Sequence, residues 1–300
     1  MSNILVSGLI NIETTLQCDE FPIDYSPVRY PFFGIQNTIS GVGYNVAKAL
    51  TLLSDNVQFM SIIGKDKEGE WITDELQSLH IDTQYITPSI AQTPQSVILF
   101  DKAGKRQIHV DLKDIQETNY PIQLFEKGLD SCKIAALCNI NFSRHMLSIA
   151  KQKGKLIATD VHVLSDIHDP YNVDFMQQAD ILFLSNEKIM GTEKELIYAL
   201  AATYHNQVIV VGLGAEGALL YQKTTNTIQH LPAVFTRPII NTIGAGDALF
   251  SCFLHYYAKG EEPTNALQKA ITFASYKIGD NGAANGFLSE KGLEKLILHQ

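Results

Sequence analysis

Asn241-Thr242-Ile243-Gly244-Ala245-Gly246-Asp247-Ala248-Leu249-Phe250 lies where extended chain passes into a long apolar helix. Small residues at 244 to 246 let first-turn backbone N–H groups approach an anion closely, and the helix dipole adds its positive end. Gly244, Ala245 and Gly246 therefore read as an anion hole. An acid placed directly after them, Asp247, repels a phosphate unless it has a task. That task is to take the proton of an attacking hydroxyl while the amides hold the charge of a moving phosphoryl group. Taken alone, the segment reads equally well as an ordinary first helical turn in which the dipole favours Asp.

Outward from this segment the chain alternates strands and helices. Strands are expected at 4–10, 57–63, 133–140, 156–161, 181–184 and 208–211, with helices at 45–53, 67–79, 143–153, 173–178 and 186–204. Two short strands, 218–222 and 227–230, precede helices at 245–258 and 263–278. Near-continuous apolar strands suit a doubly wound, mostly parallel α/β sheet covered by helices on both faces. Two segments break the rhythm. Residues 13–36 are polar and rich in aromatics (Phe21, Tyr25, Tyr30, Phe32, Phe33). Gln95–Phe100 and Arg106–Val110 flank Asp101-Lys102-Ala103-Gly104 as a hairpin. Together, 13–36 and 95–112 predict a small β lid on a single domain spanning 1–300.

The 300 residues carry a net charge of −9, and their 23 Lys and Arg are scattered, which argues against nucleic-acid or anionic-membrane partners. No basic n-region or long apolar stretch is present, so a cytoplasmic location is expected. Cys18, Cys132, Cys138 and Cys252 have no metal or redox spacing and read as reduced thiols. Asp160, His162, Asp166, His168 and Asp169 crowd a strand end and the following loop. They offer either a transition-metal cluster outside the standard zinc spacings or a polar loop that gathers acids and histidines by chance.

Two anchors in order, Gly41-Val42-Gly43-Tyr44-Asn45-Val46-Ala47 with Gly64-Lys65-Asp66-Lys67-Glu68-Gly69, and Gly244-Ala245-Gly246-Asp247, stand about 200 residues apart. On these the chain closely resembles the ribokinase or PfkB family of carbohydrate and nucleoside kinases, over essentially its whole length. The resemblance implies a ribokinase-like fold, ATP with Mg²⁺ as phosphoryl donor, and Asp247 as catalytic base. It implies that Asn11 and Glu13 bind substrate hydroxyls, the acid being one methylene longer than the usual Asp. Gly41, Val42 and Asn45 match a second substrate loop; Asn45 reads alternatively as a helix N-cap. Gly212-Leu213-Gly214-Ala215-Glu216-Gly217 spells a dinucleotide fingerprint but precedes strand-like sequence, which argues against that reading; the segment resembles the family's strand and loop under the ATP phosphates and ribose, which implies that Gly212, Gly214 and Gly217 bind ATP. Asn281 and Gly282 resemble the loop bounding the adenine and cation sites.

There are departures. Asn186 matches the Asn opening an N-x-x-E motif that organises Mg²⁺ through water, yet position 189 is Ile, and Glu187 is the acid nearby. Asn241 stands where many members have an Asp that helps bind K⁺, which weakens the case for K⁺ activation. Val42, where sugar kinases often have Lys or a small residue, argues against a phosphorylated or purely polyhydroxylic substrate. The 41–45 segment, Cys138-Asn139-Ile140 and Asn241 look most like the pseudouridine kinase branch, with Asn139 as a substrate contact. Ribose or another free sugar is next, and relatives that dimerise through the lid suggest a homodimer. The rival from another class is a catalytically weak sugar or nucleotide sensor on the same fold.

Overall fold

The computed structural model describes residues 2–102 and 105–299. Its main sheet has nine strands: β1 (Asn3–Ser7), β4 (Asn56–Gly64), β5 (Ile86–Ile90), β8 (Ile134–Leu137), β9 (Leu156–Val163), β10 (Ile181–Ser185), β11 (Val208–Gly212), β12 (Ala218–Gln222) and β13 (Thr227–Leu231). Their order is β13-β12-β11-β10-β9-β8-β1-β4-β5, parallel from β11 to β5, with β12 and β13 antiparallel at one edge. From β1 the chain winds one way through β4 and β5 and the other way through β8 to β11. Such a reversal opens a crevice at the carboxyl ends of the strands.

Alternation along each strand buries both faces. Ile4, Val6, Ile134, Ala136, Phe183 and Val210 join one core with α1 (Val42–Leu52), α2 (Lys67–Ser78), α7 (Ala245–Ala258), α8 (Pro263–Lys277) and α9 (Glu290–Ile297). Leu5, Ala135, Leu137, Leu182 and Ile209 join the other with α3 (Ile122–Asp130), α4 (Asn141–Gln152), α5 (Val173–Gln178) and α6 (Glu193–Tyr204). No described helix is long and apolar enough to cross a membrane.

The lid is a separate four-stranded sheet ordered β3-β2-β6-β7, from β2 (Asn11–Gln17), β3 (Ile35–Ser40), β6 (Gln95–Phe100) and β7 (Arg106–Asp111). It contains the predicted hairpin, though Ala103 and Gly104 of its turn lie outside the described residues. The expected strand over 4–10 stops at Ser7. A new strand starts at Asn11 because Ile12 and Leu16 alternate with polar residues, a pattern suited to a half-covered sheet. Between the lid strands, 18–34 has neither helix nor strand. The Gly64–Gly69 anchor is a knot at the lid's foot. The Asp66 carboxylate accepts from Gly69 N at 2.9 Å, which caps α2, and from Thr93 N and Oγ1, both at 2.6 Å, just before β6.

Candidate active site

Close backbone contacts bring the first anchor to the crevice. A Cβ on Gly43 would lie 2.4 Å from the carbonyl carbon of Gly8, so α1 touches the end of β1 where only glycine fits. Gly41, at φ 104°, makes the turn into that helix. Asn45 lies inside α1, whose N-cap is Gly41, so the capping role does not hold. Its amide instead donates to Asp247 Oδ2 across 2.6 Å, joining α1 to the first turn of α7. Val42 packs partly against the apolar core, so its side chain says less about the substrate than its position suggested.

From the lid, Asn11 donates to Ser96 Oγ at 3.0 Å, and Glu13 is buried, bonded to Ser40 and electrostatically coupled to Asp247. Asn11 Oδ1, Glu13 Oε1 and Asn45 Oδ1 are buried oxygens without a protein donor. Such acceptors are costly unless something donates to them. Two of these acceptors belong to residues beside Asp247: Asn45 bonds its carboxylate and Glu13 is coupled to it, while Asn11 lies two residues before Glu13 on the same lid strand.

Burial pushes the Asp247 carboxyl above the usual range; the Asn45 hydrogen bond, His162 and Lys277 pull it back, and Asp160 pushes it further up. Glu13 is raised likewise, chiefly by burial, with Ser40 and Lys277 opposing and Asp247 adding. A base in a dry site with its pKa moved toward neutrality is suited to accept a proton.

The helix start is held open. Gly244 is left-handed at φ 75°, and a Cβ there would meet the Ala283 carbonyl oxygen at 2.4 Å. Ala245 N donates to Thr242 O at 3.2 Å, whereas among the described residues the N–H groups of Gly246 and Asp247 have no protein acceptor. The Ile243 carbonyl, which the Asp247 amide would otherwise use, accepts from the Lys277 ammonium. Ile98 of the lid packs with Ile243 and Ala283, so the lid closes over this helix start. The Asp160 carboxylate borders it, 3.8 Å from where a Gly246 Cβ would be.

The acid and histidine cluster divides. Asp160 and His162 face the site, with His162 N donating to Asp160 Oδ1 at 2.7 Å. Asp166 and Asp169 accept from the backbone of His168 and Tyr171 and shape turns. Among the described residues no group of three or more His, Cys, Asp or Glu could enclose a metal ion.

On the opposite side, Asn186 N donates to Gly212 O at 3.1 Å, placing the ends of β10 and β11 together. The Asn186 amide pairs at 3.1 Å with Glu193, which also accepts from Gly191 N at 2.9 Å. Sequence reasoning missed Glu193, because an acid seven residues on matches no spacing rule and is returned by the turn before α6. Glu187 instead lies exposed, 3.4 Å from Arg106 of the lid. Gly214 begins a single 3₁₀ turn and Gly217 (φ 99°) enters β12, so a strand follows as expected. A Gly217 Cβ would strike Leu231 O at 2.1 Å, so this glycine lets the start of β12 lie against the end of β13. Asn281 and Gly282 follow α8, and Asn241 reaches Asp280 O at 3.3 Å. Asn139 lies half-buried two residues past β8, its amide spent on Asn172 at 3.0 Å.

The family model for pfkB family carbohydrate kinases matches residues 1–291. The chain belongs to that family and is a carbohydrate or nucleoside kinase. It is similar to the ribokinase of Dictyostelium discoideum, 23% identical over 95% of this chain and 97% of that protein. It is also 23% identical to the deoxyribokinase of Salmonella typhi, over 99% and 100%. Among solved structures, a microbiome-derived acarbose kinase superimposes with a TM-score of 0.87 at 22% identity, covering 99% of each chain. A Burkholderia thailandensis nucleoside kinase in complex with inosine gives 0.80 at 15% identity, covering 98% of each. These likenesses bear out the ribokinase-like fold.

Proposed function

We propose that the chain transfers the γ-phosphoryl group of ATP to a hydroxymethyl group of a furanose, with Asp247 as general base. The carrying observation is that Asp247 stands beside residues with buried unpartnered oxygens, Asn45, which bonds it, and Glu13, which is coupled to it, with Asn11 two residues from Glu13 on the same lid strand. Substrate hydroxyls would satisfy the three orphan acceptors and leave the reacting hydroxyl to Asp247. The proton passes to the Asp247 carboxylate as the oxygen attacks phosphorus and the bond to the ADP oxygen breaks. The free N–H groups of Gly246 and Asp247 stabilise the transferring charge.

ATP would lie along Asn186, Gly212, Gly214 and the 281–282 loop. Mg²⁺ on its phosphates screens their charge; Mg²⁺ keeps much of its water and takes few protein ligands, which fits the absence of a described acid cage. The Asn186–Glu193 pair is the better candidate to hold that water than Glu187, which Arg106 engages.

Our first acceptor is a nucleoside such as pseudouridine, because Tyr25, Tyr30, Phe32 and Phe33 stand exposed in the lid segment, where aromatic faces can stack on a base. Free ribose is the second, supported by the ribokinase and deoxyribokinase likenesses. A panel of nucleosides and free sugars, read by ADP release, tests the choice; turnover of ribose without any nucleoside would end the nucleoside reading. A lid-to-lid homodimer fits the same sheet. Strand register puts exposed Ile108 and Val110 on the face that carries Glu13, where a second lid would cover the sugar side. A sensor role has no use for a desolvated base beside free helix amides.

A further inference from the structure

Lys277 is fully buried, at 0% exposure, near the end of α8. Its ammonium donates to Gly282 O at 2.7 Å and to Ile243 O. Those carbonyls come from the two loops that frame the start of α7, one directly before Gly244 and the other beside Ala283, against which Gly244 packs. Backbone carbonyls gathered around a desolvated point charge are what a bare monovalent cation requires. Here that place is taken by a side chain. The residue where an acid is expected for K⁺, Asn241, is neutral and spends its amide on the 280–281 backbone and side chain. K⁺ therefore does not fit this chain: its acceptors already hold a cation, and its charged ligand is missing.

We propose that the Lys277 ammonium is a built-in monovalent cation that holds the start of α7 open and balances the charge of the site, so that turnover does not depend on K⁺. It acts as a positioning residue. By drawing the Ile243 carbonyl to itself it leaves the Asp247 amide free for phosphate, and it ties the 280–286 loop to the helix start. Burial opposes its charge most; of the charged groups around it, Asp247 of α7, Glu13 of the lid and Asp280 beside its loop favour that charge and Arg237 opposes it. A tethered cation cannot be lost by dilution.

The inference rests on the kinase reading, so its test has an arm independent of turnover. Thermal unfolding and ADP affinity by calorimetry are measured in KCl and in tetramethylammonium chloride at equal ionic strength, for the wild type and Lys277→Ala, with ADP release measured alongside. Wild type should be indifferent in all three, its turnover changing less than about threefold between salts. Lys277→Ala should lose about 10²-fold in kcat without K⁺, the worth of one charge-stabilising donor. It should recover at least tenfold when K⁺ or ammonium enters the vacated carbonyl site, with K⁺-dependent melting that the wild type lacks. Wild-type stimulation by K⁺ above threefold, or a variant with full turnover in tetramethylammonium, overturns the proposal. If the variant does not fold, the wild-type salt comparison still decides. If no acceptor is phosphorylated, the acceptor reading fails, while melting and ADP affinity still answer the cation question.

Discussion

Asp247→Asn separates a catalytic acid from a structural one, because the substitution is nearly isosteric in a fully packed place. The amide oxygen of the new side chain can accept from the Asn45 Nδ2 that now lies 2.6 Å from Asp247, so the α1–α7 contact survives. The electrostatic sign follows from linkage. Burial raises the folded-state pKa above 3.8, so the native state keeps this proton longer than the unfolded chain. Stability attributable to Asp247 therefore falls as pH rises from the ordinary carboxylate value through the raised one. At neutral pH the neutral amide removes that cost, while Lys277 loses one favourable carboxylate, and the two effects oppose. Net stability should stay within about 1 kcal/mol of wild type. Turnover should not. Loss of a positioned base costs about 10² to 10⁴ in kcat, or roughly 3 to 5 kcal/mol of barrier at about 1.36 kcal/mol per decade. ADP release with a turned-over sugar or nucleoside reads the rate, calorimetry reads ATP affinity, and a melting curve shows that the fold is intact. A folded, ATP-binding variant within tenfold of wild-type turnover would refute the base assignment.

Four further outcomes are expected. Burial raises the Asp247 pKa and the Asn45 hydrogen bond opposes that rise, so Asn45→Ala should move the acid limb of the kcat/KM profile to higher pH. In the same profile, activity should fall as pH rises through about 8, the value to which burial lowers Lys277, because the built-in cation is lost there. Gly244→Ala puts a Cβ against Ala283 O in left-handed backbone, so denaturant unfolding should show at least about 1 to 2 kcal/mol of lost stability and turnover should drop with it. Glu193→Ala frees Asn186 and should raise KM for ATP about tenfold, as loss of an orienting partner does, while KM for the acceptor stays unchanged in steady-state kinetics.

Much of the architecture follows from periodicity. The strands from 134 to 212 were legible because each is a short apolar run that follows a helix, and the Gly244–Asp247 turn was legible because only small residues permit it. Less visible were β5, an edge strand interrupted by Pro88, and the lid strand β3, whose exposed Ile35, Gln36 and Asn37 carry no buried alternation. The helix Glu290–Ile297 carried a start signal, Ser289 accepting from Gly292 N at 3.2 Å, that the sequence reading passed over. The expected helix over 186–204 begins only at Glu193. The preceding turn folds Glu193 back onto Asn186, a local geometry that no periodic pattern encodes.

The sequence by itself determined the layered α/β class and the family and marked Asp247 as the proposed base, since those depend on residue types at short spacing along one strand or helix. Tertiary structure alone decided which groups meet that base. Asn45 and Asp247 touch across 202 positions because glycines let α1 press on β1. Lys277 looks in the chain like any helix-ending lysine, and it becomes a buried cation only when two loops turn their carbonyls toward it. Electrostatic energy depends on distance and desolvation in three dimensions, and neither is written in the order of residues.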